Sequence, residues 1–222
     1  MKHNRIGERI TTLRAALPQG VTLIAVSKYH PAEAIQAAYD AGQRDFGESK
    51  AQDLTTKHEA LPKDINWHFI GHLQTNKVKY IAPFVHLVHS IDSYKLLNEV
   101  NRQGEKAGRI IPCLLQIHIA QEETKFGLTP QECRELLAAG EWQQLENIEL
   151  RGIMCMASNT DNQAQIHAEF SLAQQLFNEM KELYFADNER FNIISAGMSD
   201  DHPIAIEHGS THIRLGSSIF CE

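Results

Sequence analysis

The sequence predicts an α/β protein, a single (β/α)8 TIM barrel with an extra N-terminal helix. Three observations predict it. Eight short apolar runs alternate with amphipathic helical segments, the count and order of a closed parallel barrel. The first run holds Val21, Leu23, Ile24, Ala25 and Val26 almost without interruption, as a parallel strand covered on both faces does. Loops rich in glycine and serine follow the seventh and eighth runs, where barrels recurrently place phosphate sites.

The elements follow in order. Residues 1–20 carry charges throughout an amphipathic pattern and form the extra helix. The first strand covers Val21–Ser27, and Pro31 opens a helix over Ala32–Ala41. A short strand at Arg44–Phe46 leads into a helix over Ser49–Glu59. The third strand is Asn66–Ile70, followed by a short helix at Gln74–Ile81. Val85–His89 is the fourth strand, before a helix at Tyr94–Ala107. Ile110–Ile119 is the fifth, long and β-branched, with a helix at Pro130–Ala139. Glu149–Ile153 is the sixth, before a long helix over Gln163–Leu183. Asn192–Ser195 and His212–Leu215 complete the eight. A doubly wound open sheet shares this alternation. Its dinucleotide version needs a GxGxxG after a strand, and none is present. With no linker, repeat or low-complexity segment, one domain is expected over residues 1–222.

Composition excludes several classes. At 222 residues, with 42% hydrophobic and 22% charged residues, the chain is an ordinary globular protein with a sizeable core. A net charge of −7 without a basic block argues against nucleic-acid binding. No apolar run approaches the ~18 residues that span a bilayer, and the N-terminus lacks the apolar centre of a signal peptide. Cys113, Cys133, Cys155 and Cys221 are far apart and form no CxxC pair. They read as reduced thiols of a cytoplasmic protein. Twelve histidines invite a metal, but their spacing does not supply one. His68 and His72 straddle a strand end and Gly71, and His86 and His89 fall on opposite faces of a strand. His202, His208 and His212 lack companion ligands, so no metal is expected.

Lys28 ends the first strand in an apolar neighbourhood. Desolvation there would disfavour its ammonium form, which suits an amine that forms a Schiff base with an aldehyde. The loop after strand seven carries Gly197 and Ser199, and the loop after strand eight carries Gly216, Ser217 and Ser218. Glycines admit close backbone approach to a phosphate, and serine hydroxyls add donors. Strands one and eight adjoin in a closed barrel, so Lys28 and Gly216–Ser217 share a rim. Arg214, between Ile213 and Leu215, can point into the barrel mouth. A lysine, a phosphate cradle and an arginine facing a pyridine nitrogen are the parts of a pyridoxal phosphate site. Lys125, on the loop after strand five, reads as a solvated surface lysine, and Asp201 as the cap of a helix at Pro203.

The motifs AVSK, FGES, WHFIGHLQTNK, HSIDS, KFGL, LRGIMCM, GMSDD and AIEHGSTHIRLGSSIF occur in this order between Val21 and Phe220. In this the chain resembles the pyridoxal phosphate homeostasis protein family, a single barrel related to the N-terminal domain of alanine racemases. The resemblance implies that Lys28 carries pyridoxal 5′-phosphate as a Schiff base. It implies that Ser199, Gly216 and Ser217 hold the phosphate and that Arg214 faces the pyridine nitrogen. Met198, Met154 and His72 match positions around the cofactor. Two departures stand out. Ser49 replaces the family's asparagine in FGEN, which shortens or removes its polar contact, and Cys221 replaces the glycine of the closing IFG.

Two functions follow from such a site: a protein that carries, buffers or delivers pyridoxal phosphate in vitamin B6 and amino-acid homeostasis without turnover, and an amino-acid racemase. The racemase relatives use a second, β-rich domain with a catalytic tyrosine. This chain stops after strand eight, and none of Tyr29, Tyr39, Tyr80, Tyr94 and Tyr184 matches that tyrosine. Tyr29 adjoins Lys28, but neighbours in an extended stretch point opposite ways. An arginine at the pyridine nitrogen also weakens the ring as an electron sink. The expectation is therefore a non-catalytic cytoplasmic monomer, with apo pyridoxal phosphate enzymes as candidate recipients.

Overall fold

In the computed structural model, which describes residues 2–122 and 126–221, eight parallel strands close into a barrel in sequential order. The strands are β1 Thr22–Val26, β2 Asp45–Glu48, β3 Asn66–Phe69, β4 Leu87–Ile91, β5 Ile111–Ile117, β6 Ile148–Cys155, β7 Ile193–Ser195 and β8 His212–Leu215. Pairing of β1 with β8 closes the ring, with Ile24 opposite Arg214 and Ala25 opposite Leu215. The helices are α1 Lys2–Ala16, α2 Ala32–Asp40, α3 Ala51–Ala60, α4 Val78–Ile81, α5 Tyr94–Ala107, α6 Pro130–Ala139, α7 Gln163–Tyr184, α8 His202–Glu207 and α9 Ser217–Phe220. None of the described helices is long and apolar enough to cross a membrane. Lys125 lies outside the described residues.

Local chemistry sets several boundaries. Ser93 Oγ accepts from Leu96 N to start α5, and Gly108 ends it in the left-handed conformation at φ 64°. Thr129 and Glu132 form a reciprocal capping box ahead of Pro130 at the start of α6. The extra helix α1 buries Ile6 and Ile10, and its Arg9 donates to the carbonyls of Ile219 and Cys221. It thereby ties the last helix to the body of the barrel. Asp201 occupies the position before α8, but its carboxylate does not cap that helix. It accepts instead from Met198 N at 2.5 Å and closes the β7–α8 loop.

The larger apolar core lies between strands and helices, with Phe46, Trp67, Phe69 and Phe191 fully buried. A smaller cluster of Leu87, Leu114, Met154 and Ile193, from β4 to β7, fills part of the barrel interior. Three strands extend past their expected ends. β2 runs on through Gly47 and Glu48, β4 through Ser90 and Ile91, and β6 through Met154 and Cys155. The polar residue added to β2, Glu48, is held by Ser27 Oγ and by Lys57 Nζ of α3, whereas the Ser90 hydroxyl added to β4 is buried without a described hydrogen-bond partner.

Backbone at β6 and β7 approaches too closely for a side chain at Gly152. Its φ is 146°, and a Cβ there would lie 1.8 Å from Ile193 O. We expect Gly152→Ala to cost about 3 kcal/mol or more, because both the dihedral and the strand pairing are lost. Urea unfolding of the variant measures this.

Candidate functional site

The mouth of the barrel is built from the strand ends upward. β1 ends at Val26, and Ser27, Lys28, Tyr29 and His30 make a turn closed by His30 N donating to Ser27 O at 3.0 Å. Tyr29 has φ 70°, the one positive value on a described non-glycine residue, and it is 78% exposed. Such backbone strain concentrates where a side chain must be aimed. Lys28 is exposed on this turn, so the apolar surroundings expected of it are absent: the strand's buried residues stop at Ser27. Nor is the Lys28–Tyr29 pair extended. The left-handed residue folds the chain so that Lys28 Nζ lies 5.8 Å from the Tyr29 ring centre, with Lys50 Nζ 5.9 Å from the same ring.

A buried cluster fixes the turn from below. Ser27 Oγ donates to Glu48 Oε1 at 2.6 Å, and Lys57 Nζ donates to the same oxygen at 2.7 Å and to Ser27 O at 2.9 Å. Burial pushes the Glu48 carboxyl above the usual range, against the opposing pull of Lys57 and Ser27. His30 stacks on Phe220 at 4.6 Å, joining this turn to α9.

The loops after β7 and β8 converge. Ser199 Oγ and Ser217 Oγ are 2.9 Å apart, and Ser218 Oγ donates to Ser199 Oγ at 3.4 Å. Gly216 packs on the end of β1, where a Cβ would meet Val26 O at 3.2 Å. Gly197, at φ 95°, admits α8 against the loop; a Cβ would meet His202 Cα at 2.8 Å. Three hydroxyls bonded to one another at a partly open rim are a donor set suited to a polyanionic oxygen cluster.

Arg214 is 4% exposed and lies inside the barrel rather than in a surface ion pair. It donates to Ser195 O at 2.7 Å, to Ser195 Oγ at 2.6 Å and to Cys155 O at 2.9 Å. Those carbonyls end β7 and β6, which places the guanidinium just below the mouth. No carboxylate among the described residues forms an ion pair with it. The other expected residues are dispersed. Met198 is 39% exposed on the β7–α8 loop, and Met154 is buried in the interior cluster beneath. His72 stands on the β3–α4 loop, paired with Asp92 at 3.3 Å and stacked on Phe126 at 4.0 Å. Ser49 Oγ makes no described hydrogen bond, while its backbone lies against Gly71. Cys221 is exposed, whereas burial pushes the Cys133 and Cys155 thiols up to about 12.

Sequence reasoning missed the polar interior. His68 Nδ1 and His89 Nε2 are 2.9 Å apart, and His89 Nδ1 and Ser195 Oγ 3.0 Å. His68 Nε2 donates to Asp45 Oδ1 at 3.0 Å. The ring centres of His86 and His89 both lie near His68, at 5.2 and 5.1 Å, not on opposite faces. His86 precedes β4 and so escapes its alternation. Asp45, His68 and His86 bring ligand atoms within 4.8 Å of one another, with His68 Nε2 and Asp45 Oδ1 hydrogen-bonded to each other. The available signal was positional: His89 lies two residues after inward-facing Leu87, and His212 two before Arg214.

Burial holds the His89 imidazole well below its ordinary value and lowers His212 from 6.5 to about 4. His86 is also lowered to about 4, by burial of part of its ring and by neighbouring His68, although its edge reaches solvent. These rings are neutral in the fold and protonate near 6.5 when the chain unfolds. Between about 6.5 and 4 the unfolded chain therefore binds more protons, and stability must fall as pH drops through that window. Urea unfolding at stepped pH is expected to give this slope, and His212→Asn to flatten it.

Comparison with known proteins bears on the family and the fold. The family described as alanine racemase, N-terminal domain, matches residues 2–222. The pyridoxal phosphate homeostasis protein of Helicobacter pylori is 37% identical over 204 residues, 91% of this chain and 88% of that protein. That of Haemophilus influenzae is 37% identical over 203 residues, 90% of this chain and 84% of that protein. PipY of Synechococcus elongatus PCC7942, solved without PLP, superposes with a TM-score of 0.90 at 37% identity, covering 97% of this chain and 99% of that one. With PLP bound, PipY gives 0.86 at 36% identity and the same coverage. An alanine racemase of Clostridium difficile 630 shares the fold alone, at 10% identity and a TM-score of 0.77, covering 97% of this chain and 56% of that one.

Proposed function

The chain belongs to the pyridoxal phosphate homeostasis protein family, built on the alanine racemase N-terminal barrel, and from that premise we propose that it binds pyridoxal 5′-phosphate and carries it without turnover. One observation carries the reading. The serine hydroxyls of two separate loops meet at 2.9 Å beside Gly216, which itself packs on the strand that delivers Lys28. The donor set fits the group: hydroxyls for a phosphate, a primary amine for an aldehyde and a buried guanidinium for a ring nitrogen. Ser199, Ser217 and the Gly216 backbone would hold the phosphate. Lys28 would supply the amine, and Arg214 would face the ring. When bound, the group presents an aldehyde that condenses with an amine and a ring that can withdraw electrons.

The residues of this chain favour retention over catalysis. A guanidinium keeps its proton, so Arg214 does not pass one to the ring nitrogen and leaves electron withdrawal weak. Racemisation requires proton donors on both faces of the reacting carbon. Lys28 and Tyr29 belong to one turn and approach from one side of the rim. Residues 1–222 are taken to act as one domain and as a monomer, in a reducing cytoplasm that suits the free thiols of Cys113, Cys133 and Cys155. Apo pyridoxal phosphate enzymes are the recipients this reading offers.

Borohydride reduction of the loaded protein followed by peptide mapping is expected to mark Lys28, and Lys28→Ala to lose the mark. A mark centred on Lys77 or Lys50 would remove the assignment. Ser199→Ala and Ser217→Ala each delete a charge-assisted hydrogen bond of ~1.5–3 kcal/mol. Each variant should therefore bind the phosphorylated vitamer about ten- to a hundredfold more weakly, with little change for pyridoxal. Equal native affinity for the two vitamers excludes the cradle.

Absence of turnover has its own measurement. L-alanine or L-serine incubated with the loaded protein in deuterated water is expected to keep its α-hydrogen and its chirality. Rapid deuterium uptake with accumulation of the D-enantiomer, lost in Lys28→Ala, would establish the racemase instead.

A further inference from the structure

An unbroken file of hydrogen bonds crosses the barrel interior from Asp45, the first residue of β2, to Arg214 just below the mouth. It passes through His68 on β3, His89 on β4 and Ser195 on β7. Since β4 and β7 are not neighbours in the ring, the His89–Ser195 contact spans the interior.

The directions of these bonds can be assigned from donor and acceptor counts. An ionised carboxylate only accepts, so His68 Nε2 carries a proton. Hydrogen bonds from His68 and Asn66 hold the Asp45 carboxyl below its usual range despite the opposing effect of burial, which keeps it ionised. At the other end, the Arg214 guanidinium only donates, so Ser195 Oγ accepts at 2.6 Å. The Ser195 hydroxyl proton then needs an acceptor, and His89 Nδ1 at 3.0 Å is the one in place. A neutral His89 accepting at Nδ1 donates from Nε2, so His68 Nδ1 accepts. Every donor and acceptor is satisfied, and every bond points from the cation to the carboxylate. The reverse direction would protonate His68 at both nitrogens, bury a third charge and leave the Ser195 proton without a partner.

We infer that Asp45 is a positioning residue for Arg214: by fixing the proton on His68 Nε2, it sets both histidine tautomers and keeps the Ser195 lone pair turned toward the guanidinium. It acts from the opposite end of the barrel and touches nothing at the mouth. The tautomer assignment stands on this chain alone, while its effect on the ligand rests on the reading of Arg214 given above. Removing the carboxylate frees His68 to place its proton on Nδ1. His89 then protonates at Nδ1 and donates to Ser195 Oγ, whose own proton turns away from the file. Arg214 keeps its two carbonyl bonds but shares the serine oxygen with a second donor.

The test reads the tautomers directly, by 15N NMR of the unloaded protein labelled at histidine. Native His68 and His89 are both expected to carry a single proton on Nε2. Asp45→Leu is expected to move the His89 proton to Nδ1, and Asp45→Asn, which keeps an oxygen acceptor in place, to preserve the native pattern. A native His89 protonated at Nδ1 overturns the assignment even if no variant folds, as does a His89 unchanged in folded Asp45→Leu. In the loaded protein, Asp45→Leu should weaken binding of pyridoxal 5′-phosphate about tenfold and shift its visible absorption, with Asp45→Asn close to native. Tautomers that flip while affinity and absorption stay constant overturn the positioning role. A native protein that does not bind the ligand at all defeats the proposed function and the positioning role with it, and the NMR result still judges the file of bonds separately.

Discussion

The site depends on keeping one guanidinium charged inside a barrel. Taking a cation out of water costs several kcal/mol even after relaxation, and no carboxylate among the described residues forms an ion pair with Arg214. The strand ends offset that cost: the Ser195 and Cys155 carbonyls accept at 2.7 and 2.9 Å, and the Ser195 hydroxyl at 2.6 Å. These bonds also fasten the C-terminal ends of β6 and β7 to β8. The loops that leave β7 and β8 are thereby held in a fixed relation, and their serines meet. Burial of the charge and convergence of the rim are one arrangement seen at two levels.

The same constraint divides the interior. Leu87, Leu114, Met154 and Ile193 form a buried apolar cluster, while Asp45, His68, His89 and Ser195 form a polar file. A half-satisfied buried network destabilises more than an apolar core does. This one has a charge at each end and a matched donor and acceptor at every step between. Neutral imidazoles suit that role because each accepts on one nitrogen and donates from the other.

Much of this was legible in the sequence, and the unread parts share a cause. The helices Tyr94–Ala107 and Pro130–Ala139 and the strand His212–Leu215 follow from their patterns to the residue, because caps and continuous apolar character mark their limits. β2 and β4 were cut short where Gly47, Glu48 and Ser90 appear, since such residues ordinarily end strands. Here they continue one: Glu48 is held by Ser27 and by Lys57 of α3, partners distant in sequence, and Ser90 is carried by the backbone pairing of its strand. Lys28, Ser199, Arg214, Gly216 and Ser217 could be put forward as candidates because each lies in or just after the C-terminal part of a strand. For His68, His89 and Ser195 the alternation marks at most an inward face, and the bonds that join them were out of reach because their partners lie on other strands. Asp201 and Tyr29 failed for a local reason: a loop carboxylate chose the Met198 amide over the helix, and a left-handed tyrosine broke the expected extension.

The position of Lys28 bears on what kind of site this is. An enzyme that needs a nucleophilic amine commonly buries it, because desolvation raises the share of the neutral form. In this chain the burial stops one residue earlier: Ser27 is enclosed by Glu48 and Lys57, and Lys28 is in solvent. The turn beneath it is nonetheless tied down: Ser27 bonds Glu48 through its hydroxyl and Lys57 through its carbonyl, those two bond each other, and Tyr29 holds a left-handed φ. On the proposed assignment these contacts would place the Lys28 amine, and its exposure would leave a Schiff base there open to water and to competing amines. A rim that held a phosphate tightly and a carbonyl reversibly would be suited to loading and release. On the proposed reading, Arg214 below it would supply a fixed charge rather than a proton, which favours retention of a bound ring over chemistry on it.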